Sequence, residues 1–362
     1  MSSLSVCMIV KNEEKTLEKS IDSIKNIVDQ IVIVDTGSTD KTIDIAKNYT
    51  SEIYNFKWID DFSAAQNFAL QFSTCDFNMK WDADFVLSPE SKTKLKKLKD
   101  SNFKNNNLIA LNWFFDYGTS NKSKSIIRPL IFKTKDFYYK YPVHEIINPK
   151  EGIVKKYNIF TDICVYHMKE TAKIKLRENQ NKIIIEDDIK NNPDDPQSYF
   201  SYGGELLHDK KYIQAIEVFE KYIFITKKIK NDEKRMIVVE KLLRCYLALK
   251  KLKEADDRAE LYFKEYKKYP RFLLIYADIK ALTDIKKAEE IYNLYFKIKF
   301  DISNATGSFD PERYHVHPLV MMGKILMLKN NNQEAKSFFQ KALNKTRIEK
   351  TKQEILSLLR KI

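Results

Sequence analysis

The chain has 362 residues, 43% of them hydrophobic, with only 7 glycines and 9 prolines; this excludes long disordered or collagen-like segments and leaves room for two domains. Its formal charge of +13 invites a nucleic-acid partner, but 50 acidic residues are interspersed with the 63 basic ones, so we expect no nucleic acid and at most weak contact with a membrane surface. No apolar run approaches the roughly 20 residues of a membrane span and the N-terminus lacks a secretory pattern, which predicts a cytoplasmic protein without a transmembrane segment.

In chain order, "LSVCMIV" opens as an apolar strand, followed by helical spacing around Leu17 to Ile27, the strand "QIVIVD", and a helix around Thr42 to Asn48. "SEIYNF", a helix from Phe62 to Phe72 and "DFNMKWD" continue the alternation. Strands alternating with helices predict an α/β domain with a parallel sheet, and strands this apolar are covered on both faces. The lysine-rich "KTKLKKLKD" spaces Leu95 and Leu98 as on an amphipathic helix with a solvated basic face. Four dispersed cysteines, Cys7, Cys75, Cys164 and Cys245, make no CxxC pair and read as reduced core residues.

The strand signal stops near residue 168, which divides the chain into an α/β domain at 1–168, a connecting helix at 169–195 and an all-α repeat domain at 196–362. In the last of these, Tyr199, Gly203, Leu206, Ala215, Phe219 and Tyr222 fall on tetratricopeptide spacing, and Leu319, Gly323, Leu326, Ala335, Phe339 and Ala342 repeat the frame. Weaker copies lie between them. Such units stack into a solenoid that grips a polypeptide, and its exposed faces also suit a homodimer.

Two stretches carry chemistry. Asp35 ends "QIVIVD" where ligands bind in open α/β sheets, and it opens "DTGSTDKT", whose Gly37 permits a tight turn. The alternative is a polar turn with a capping aspartate. "KWDADFVLSP" then sets Asp82 and Asp84 one residue apart, a pair suited to Mg²⁺ or Mn²⁺ shared with substrate phosphates, or to an ordinary turn.

Together "SVCMIVKNEEKTLEKSIDSI", "IVIVDTGSTDKTIDIAK", "WIDDFSAAQNFAL" and "KWDADFVLSP" resemble the inverting family-two glycosyltransferases of GT-A fold. The likeness is to the bacterial subgroup with C-terminal tetratricopeptide repeats, which includes the sublancin-type peptide S-glycosyltransferases. The resemblance implies a UDP-sugar donor and a divalent cation, with Val10, Asn12 and Glu13 near the nucleotide and Asp35 on its base. It implies Asp84 as metal ligand, Asp82 at the ribose or metal, and His167, at the end of "ICVYH", approaching the metal. Asp61 and Asn67 match residues lining the donor site, while Gln66 stands where the family has arginine. Arg128, His144 and Glu145 match a segment ending in a His-Glu pair, although Tyr141 and Pro142 occupy the neighbourhood of a glycine the family carries there.

From these roles we expect metal-dependent transfer of a hexose or N-acetylhexosamine to a serine, threonine or cysteine side chain held by the repeats. Glu145 is then the general base, with His144 orienting it or standing in for it. A saccharide or lipid-linked acceptor, and a non-catalytic nucleotide-binding scaffold, are the alternatives. His315 and His317 in "RYHVHP" have no evident third ligand and read as structural. Trp58, Trp81 and Trp113 read as core or pocket walls.

Overall fold

The computed structural model describes residues 2–114, 125–168, 171–229, 233–298, 308–310 and 312–362, at 171–178 and 308–309 by their backbone alone. The first two residues of the expected connecting segment, 169–170, lie outside this set. The chain divides into two compact units, Met1–Asp188 and Ile189–Ile362.

In the first unit β1 (Leu4–Val10), β2 (Gln30–Asp35), β3 (Ile53–Asn55) and β4 (Phe77–Lys80) form a parallel set. Registers Val10 to Asp35 and Cys7 to Lys80 bring the carboxyl ends of β2, β1 and β4 to one edge. The full order is β3-β2-β1-β4-β7-β6-β10-β5, with β5 at Phe85–Leu87, β6 at Leu108–Phe114, β7 at Ser125–Lys133 and β10 at Tyr157–His167. A two-stranded ribbon, β8 (Phe137–Lys140) with β9 (Ile146–Pro149), lies outside it.

The sheet is mixed, where alternation predicts a parallel one: β7 runs antiparallel to β4 and β6, and β5 antiparallel to β10. No helix lies between β6 and β7 among the described residues and these two return antiparallel, whereas β10, reached through β7 and the β8–β9 ribbon, pairs parallel to β6 again.

Helices α1 (Leu17–Asp22), α2 (Thr42–Ala46), α3 (Phe62–Leu70) and α4 (Pro89–Asp100) cover the sheet, and α5 spans Thr171–Asn191. Helix α1 stops short of Ile27 because Ser23 and Ile24 bond back three residues, to Ser20 and Ile21, although Ile24 and Ile27 stay buried. Helix α4 buries Leu95 and Leu98 beneath its lysines. The core gathers Val6, Met8, Ile21, Met79 and Trp81, whose indole N–H donates to Ser20 at 2.9 Å. The four cysteines are free thiols, three of them buried.

The second unit is an all-α, tetratricopeptide-like solenoid of helix pairs: α6 (Pro196–His208) with α7 (Tyr212–Ile225), α8 (Glu233–Ala248) with α9 (Leu252–Tyr266), α10 (Pro270–Thr283) with α11 (Ile285–Lys297), and α12 (His317–Leu328) with α13 (Asn332–Lys345), before α14 (Glu349–Leu359). Small residues sit where the repeat frame predicts. A Cβ added at Gly203 would lie 2.3 Å from the Phe219 ring, and one at Gly323 2.5 Å from Phe339. Alanine normally favours a helix interior by about 1 kcal/mol over glycine, but here it must displace a fully buried ring. We expect Gly203→Ala to destabilise the solenoid by about 1–3 kcal/mol, read as a lower urea midpoint with unchanged slope; an unchanged midpoint would show that the pair can spread freely.

His317 Nε2–H donates to the Asp278 carboxylate at 2.7 Å, and the same carboxylate accepts from the Tyr292 hydroxyl and Arg313, a structural network. Burial raises the Asp278 carboxyl, but His317, Arg313 and Tyr292 outweigh it and hold it below the usual range.

Candidate functional site

The carboxyl ends of the central strands meet a cavity of about 280 Å³. Glu13 enters it from the loop after β1, and Gln66 and Phe62 from α3. Lys80 ends β4, Asp82 and Asp84 follow it, and Arg128 comes from β7. His144 and Glu145 come from the β8–β9 turn, and His167 ends β10.

Asp84 and His167 are 83 positions apart, yet antiparallel pairing of Phe85 with His167 sets them side by side, with Asp84 Oδ2 2.7 Å from His167 Nε2. Rings of Phe85 and Trp113, at 5.5 and 5.6 Å, wedge the imidazole in place. Its Nδ1 is buried without a hydrogen-bond partner. The pair suits a hard cation: neighbouring oxygen or nitrogen ligands of an octahedral Mg²⁺ at about 2.1 Å are roughly 3 Å apart. Among the described residues no three His, Cys, Asp or Glu side chains group around a metal position. Asp84 and His167 would therefore supply two ligands, leaving the rest to waters or phosphate oxygens.

Four carboxylates (Glu13, Asp82, Asp84, Glu145) face two fixed cations, Lys80 and Arg128, in the cavity lining. Burial raises the Asp82 carboxyl, with Lys80 opposing and Asp84 and Glu145 adding to it. Glu145 differs. Burial raises it too, but the Lys80 ammonium in direct ion pair, the backbone N–H bond and Arg128 prevail and hold it below the ordinary carboxylate range. Arg128 lies over the Trp113 ring at 4.8 Å; desolvation lowers its pKa, against the pull of Glu145 and Asp82. A second cavity, of about 220 Å³, adjoins Lys80, Arg128, Trp113 and Glu145 and is otherwise lined by Phe85, Pro129, Leu130, Ile146 and Ile147. Glu145 thus borders a polar cavity and an apolar one.

The other residues singled out from the sequence lie outside the cavity lining. Val10 is 2% exposed in the core beside Asp35. The Asp35 carboxylate accepts amide N–H bonds from Gly37 and Ser38 at 3.1 Å, which forms the turn. Asn12, at φ 55°, accepts from the Thr39 N–H at 2.7 Å, and Glu13 donates its N–H to Thr42 at 2.7 Å, so the loops after β1 and β2 are laced together. Asp61 caps α3 by accepting from Ala64 at 2.9 Å. Asn67 makes two bonds of 2.8 Å to the backbone of Tyr139, which ties α3 to β8.

Lys80 escaped the sequence reading. Its signal is a lysine closing the short strand Phe77–Lys80 just before Asp82, and in the fold it is 9% exposed. The position of the missing glycine has a structural answer: Tyr141 adopts φ 82° and His144 φ 54°, conformations that glycine takes without strain. The Pro142 carbonyl accepts from the Phe62 N–H at 2.9 Å, which fastens this strained turn to the start of α3. Of the tryptophans, Trp81 is core, Trp113 is cavity wall, and Trp58 packs edge-on to Phe62.

Residues 5–168 match the family described as Glycosyl transferase family 2. The SPbeta prophage-derived glycosyltransferase SunS of Bacillus subtilis is 29% identical over 257 residues, 69% of this chain and 59% of that protein. An uncharacterized glycosyltransferase of Rickettsia typhi is 33% identical over 96 residues, 26% of this chain and 32% of its own. A TPR repeat-containing protein of Synechococcus elongatus is 39% identical over 100 residues, 28% of this chain and 25% of its own. The chain therefore spans 59% of the length of SunS and smaller shares of the other two. No helix among the described residues is long and apolar enough to cross a membrane.

Proposed function

Residues 5–168 are a family 2 glycosyltransferase domain, and from that premise we propose that the protein transfers a hexose or N-acetylhexosamine from a UDP-sugar to a polypeptide side chain, with inversion. The observation that carries the donor half is the Asp84–His167 pair in a cavity with more carboxylates than cations. Such a cavity repels a diphosphate by itself, so donor binding calls for Mn²⁺ or Mg²⁺ held by Asp84 and His167. When bound, the cation would neutralise charge on the departing diphosphate.

The chain's own groups do the rest. Arg128 and Lys80 face the donor's anionic part, and Asp82, raised by burial, sits within reach of its ribose or its cation. Asp35, with Asn12 and Glu13, shapes the loop pair where the base would lie, while Asp61 caps α3 and Asn67 fixes it against β8. In the transfer, Glu145 takes the proton of a serine or threonine hydroxyl or a cysteine thiol. The freed oxygen or sulfur forms a bond to the anomeric carbon as the bond from that carbon to phosphate breaks, and UDP leaves with the electron pair. His144, two residues beyond Pro142 in the strained turn, orients Glu145. Support for a polypeptide acceptor comes from the tetratricopeptide-like unit itself, since stacked helix pairs of this kind present an extended face that suits a peptide.

The test is UDP release by the purified chain from a panel of UDP-sugars with Mn²⁺, Mg²⁺ or EDTA. Slow release from one sugar, abolished by EDTA, is expected. Absence of both release and calorimetric UDP binding would overturn the reading in favour of a non-catalytic scaffold.

A further inference from the structure

Two neighbouring amides on α3 have opposite fates. Asn67 is engaged on both its oxygen and its nitrogen by the backbone of Tyr139. Gln66 is 1% exposed, and neither its Oε1 nor its Nε2 has a hydrogen-bond partner, although it lines the cavity. A buried amide left without partners costs stability, and the great majority of buried polar atoms in folded proteins are satisfied. Its apolar companions in the lining, Ile9, Phe62 and Val143, can supply none.

We infer that Gln66 is a specificity residue that reads an uncharged hydrogen-bonding group, a hydroxyl or acetamido, on the sugar being transferred. The argument rests on matching donors to acceptors. An amide offers both donors and an acceptor, and so does a hydroxyl or an acetamido group. A diphosphate offers acceptors only; it would leave Oε1 facing an anion, and Lys80 and Arg128 in the same lining serve it better. Uracil also combines donors and acceptors, which makes UDP alone the necessary control. Recognition of this kind discriminates strongly, because a sugar lacking the group leaves the buried amide unpaired again. The inference rests on the proposed use of a UDP-sugar and adds which side chain selects the sugar.

The experiment is calorimetry on the full chain with Mn²⁺, using UDP and four UDP-sugars: glucose, galactose, and their 2-acetamido counterparts. Wild type is compared with Gln66→Met, which keeps the length and removes both polar atoms, and with Gln66→Glu, which keeps only acceptors. Circular dichroism establishes that each variant is folded. Wild type should favour one sugar over its nearest relative by about tenfold or more. That preference should shrink to within about threefold in both variants, while affinity for UDP stays within about twofold. An undiminished preference would overturn the inference and leave Gln66 an unpaired amide of the cavity wall. An equal loss of UDP affinity would overturn it in favour of the base or of a structural role. Failure of wild type to bind UDP itself would instead strike the functional reading on which the inference rests.

Discussion

Asp84→Ala should abolish metal-stimulated UDP release, lowering turnover by about 10²-fold or more, while the thermal midpoint of the protein stays level or rises. The two halves of this expectation have one cause. Asp84 stands among Glu13, Asp82 and Glu145 with only Lys80 and Arg128 as fixed cations in the lining. Deleting one of several like charges relieves repulsion in the empty protein, and the loss is felt only when an anionic donor needs its counter-cation. His167→Ala should weaken Mn²⁺ dependence less severely, because waters can replace one neutral ligand more readily than a carboxylate. The decisive readout is the Mn²⁺ concentration giving half-maximal release, together with the melting curve. A lower midpoint with unchanged Mn²⁺ response would make Asp84 merely the hydrogen-bond partner of His167 and would end its role as ligand.

How far the site could be read from the sequence depended on the distance over which each residue acts. The strands β1 and β2 announce themselves because burial on both faces makes them almost wholly apolar, and the carboxylate at the end of β2 follows directly. The solenoid was legible for a similar local reason: Gly203 and Gly323 recur at the one helix position where a ring from the next helix leaves no room for Cβ. Pairing across the sheet was harder to see. Nothing near Phe85 or His167 in the sequence tells that β5 runs back along β10 and sets Asp84 against the imidazole. Lys80 was hidden because its charge is cancelled by Glu145, 65 positions away, in a turn whose Tyr141 takes a glycine-like conformation. Asp61 and Asn67 show the converse: motif residues whose polar atoms turn out to be engaged in capping a helix and bracing a strand.

Glu145 and Lys80 provide the second large effect, and they separate chemistry from binding. Glu145→Gln keeps the size and the hydrogen-bonding edge but cannot take a proton, so turnover should fall by about 10² to 10⁴-fold with donor affinity nearly unchanged. Lys80→Met acts differently. In the native protein burial pushes the Glu145 carboxyl up, and Lys80 foremost, then the backbone N–H bond and Arg128, bring it below its ordinary value. A carboxyl lowered in the fold contributes stability that is present above its unfolded pKa of about 4.3 and is lost as pH falls through the lower folded value. Without Lys80 burial is opposed only by the backbone N–H bond and Arg128, so Glu145 holds its proton to higher pH and the acid limb of kcat/KM must move upward. Breaking this buried pair should also cost about 3–5 kcal/mol in either single variant, with much of it restored in the double variant Lys80→Met/Glu145→Gln, where no charge is left alone. The acid limb is the informative quantity, because a purely structural Lys80 would lower stability and leave that limb where it was. If the limb stays fixed in Lys80→Met while Glu145→Gln turns over normally, the proton goes to another group, and His144, in the same turn, becomes the base to test.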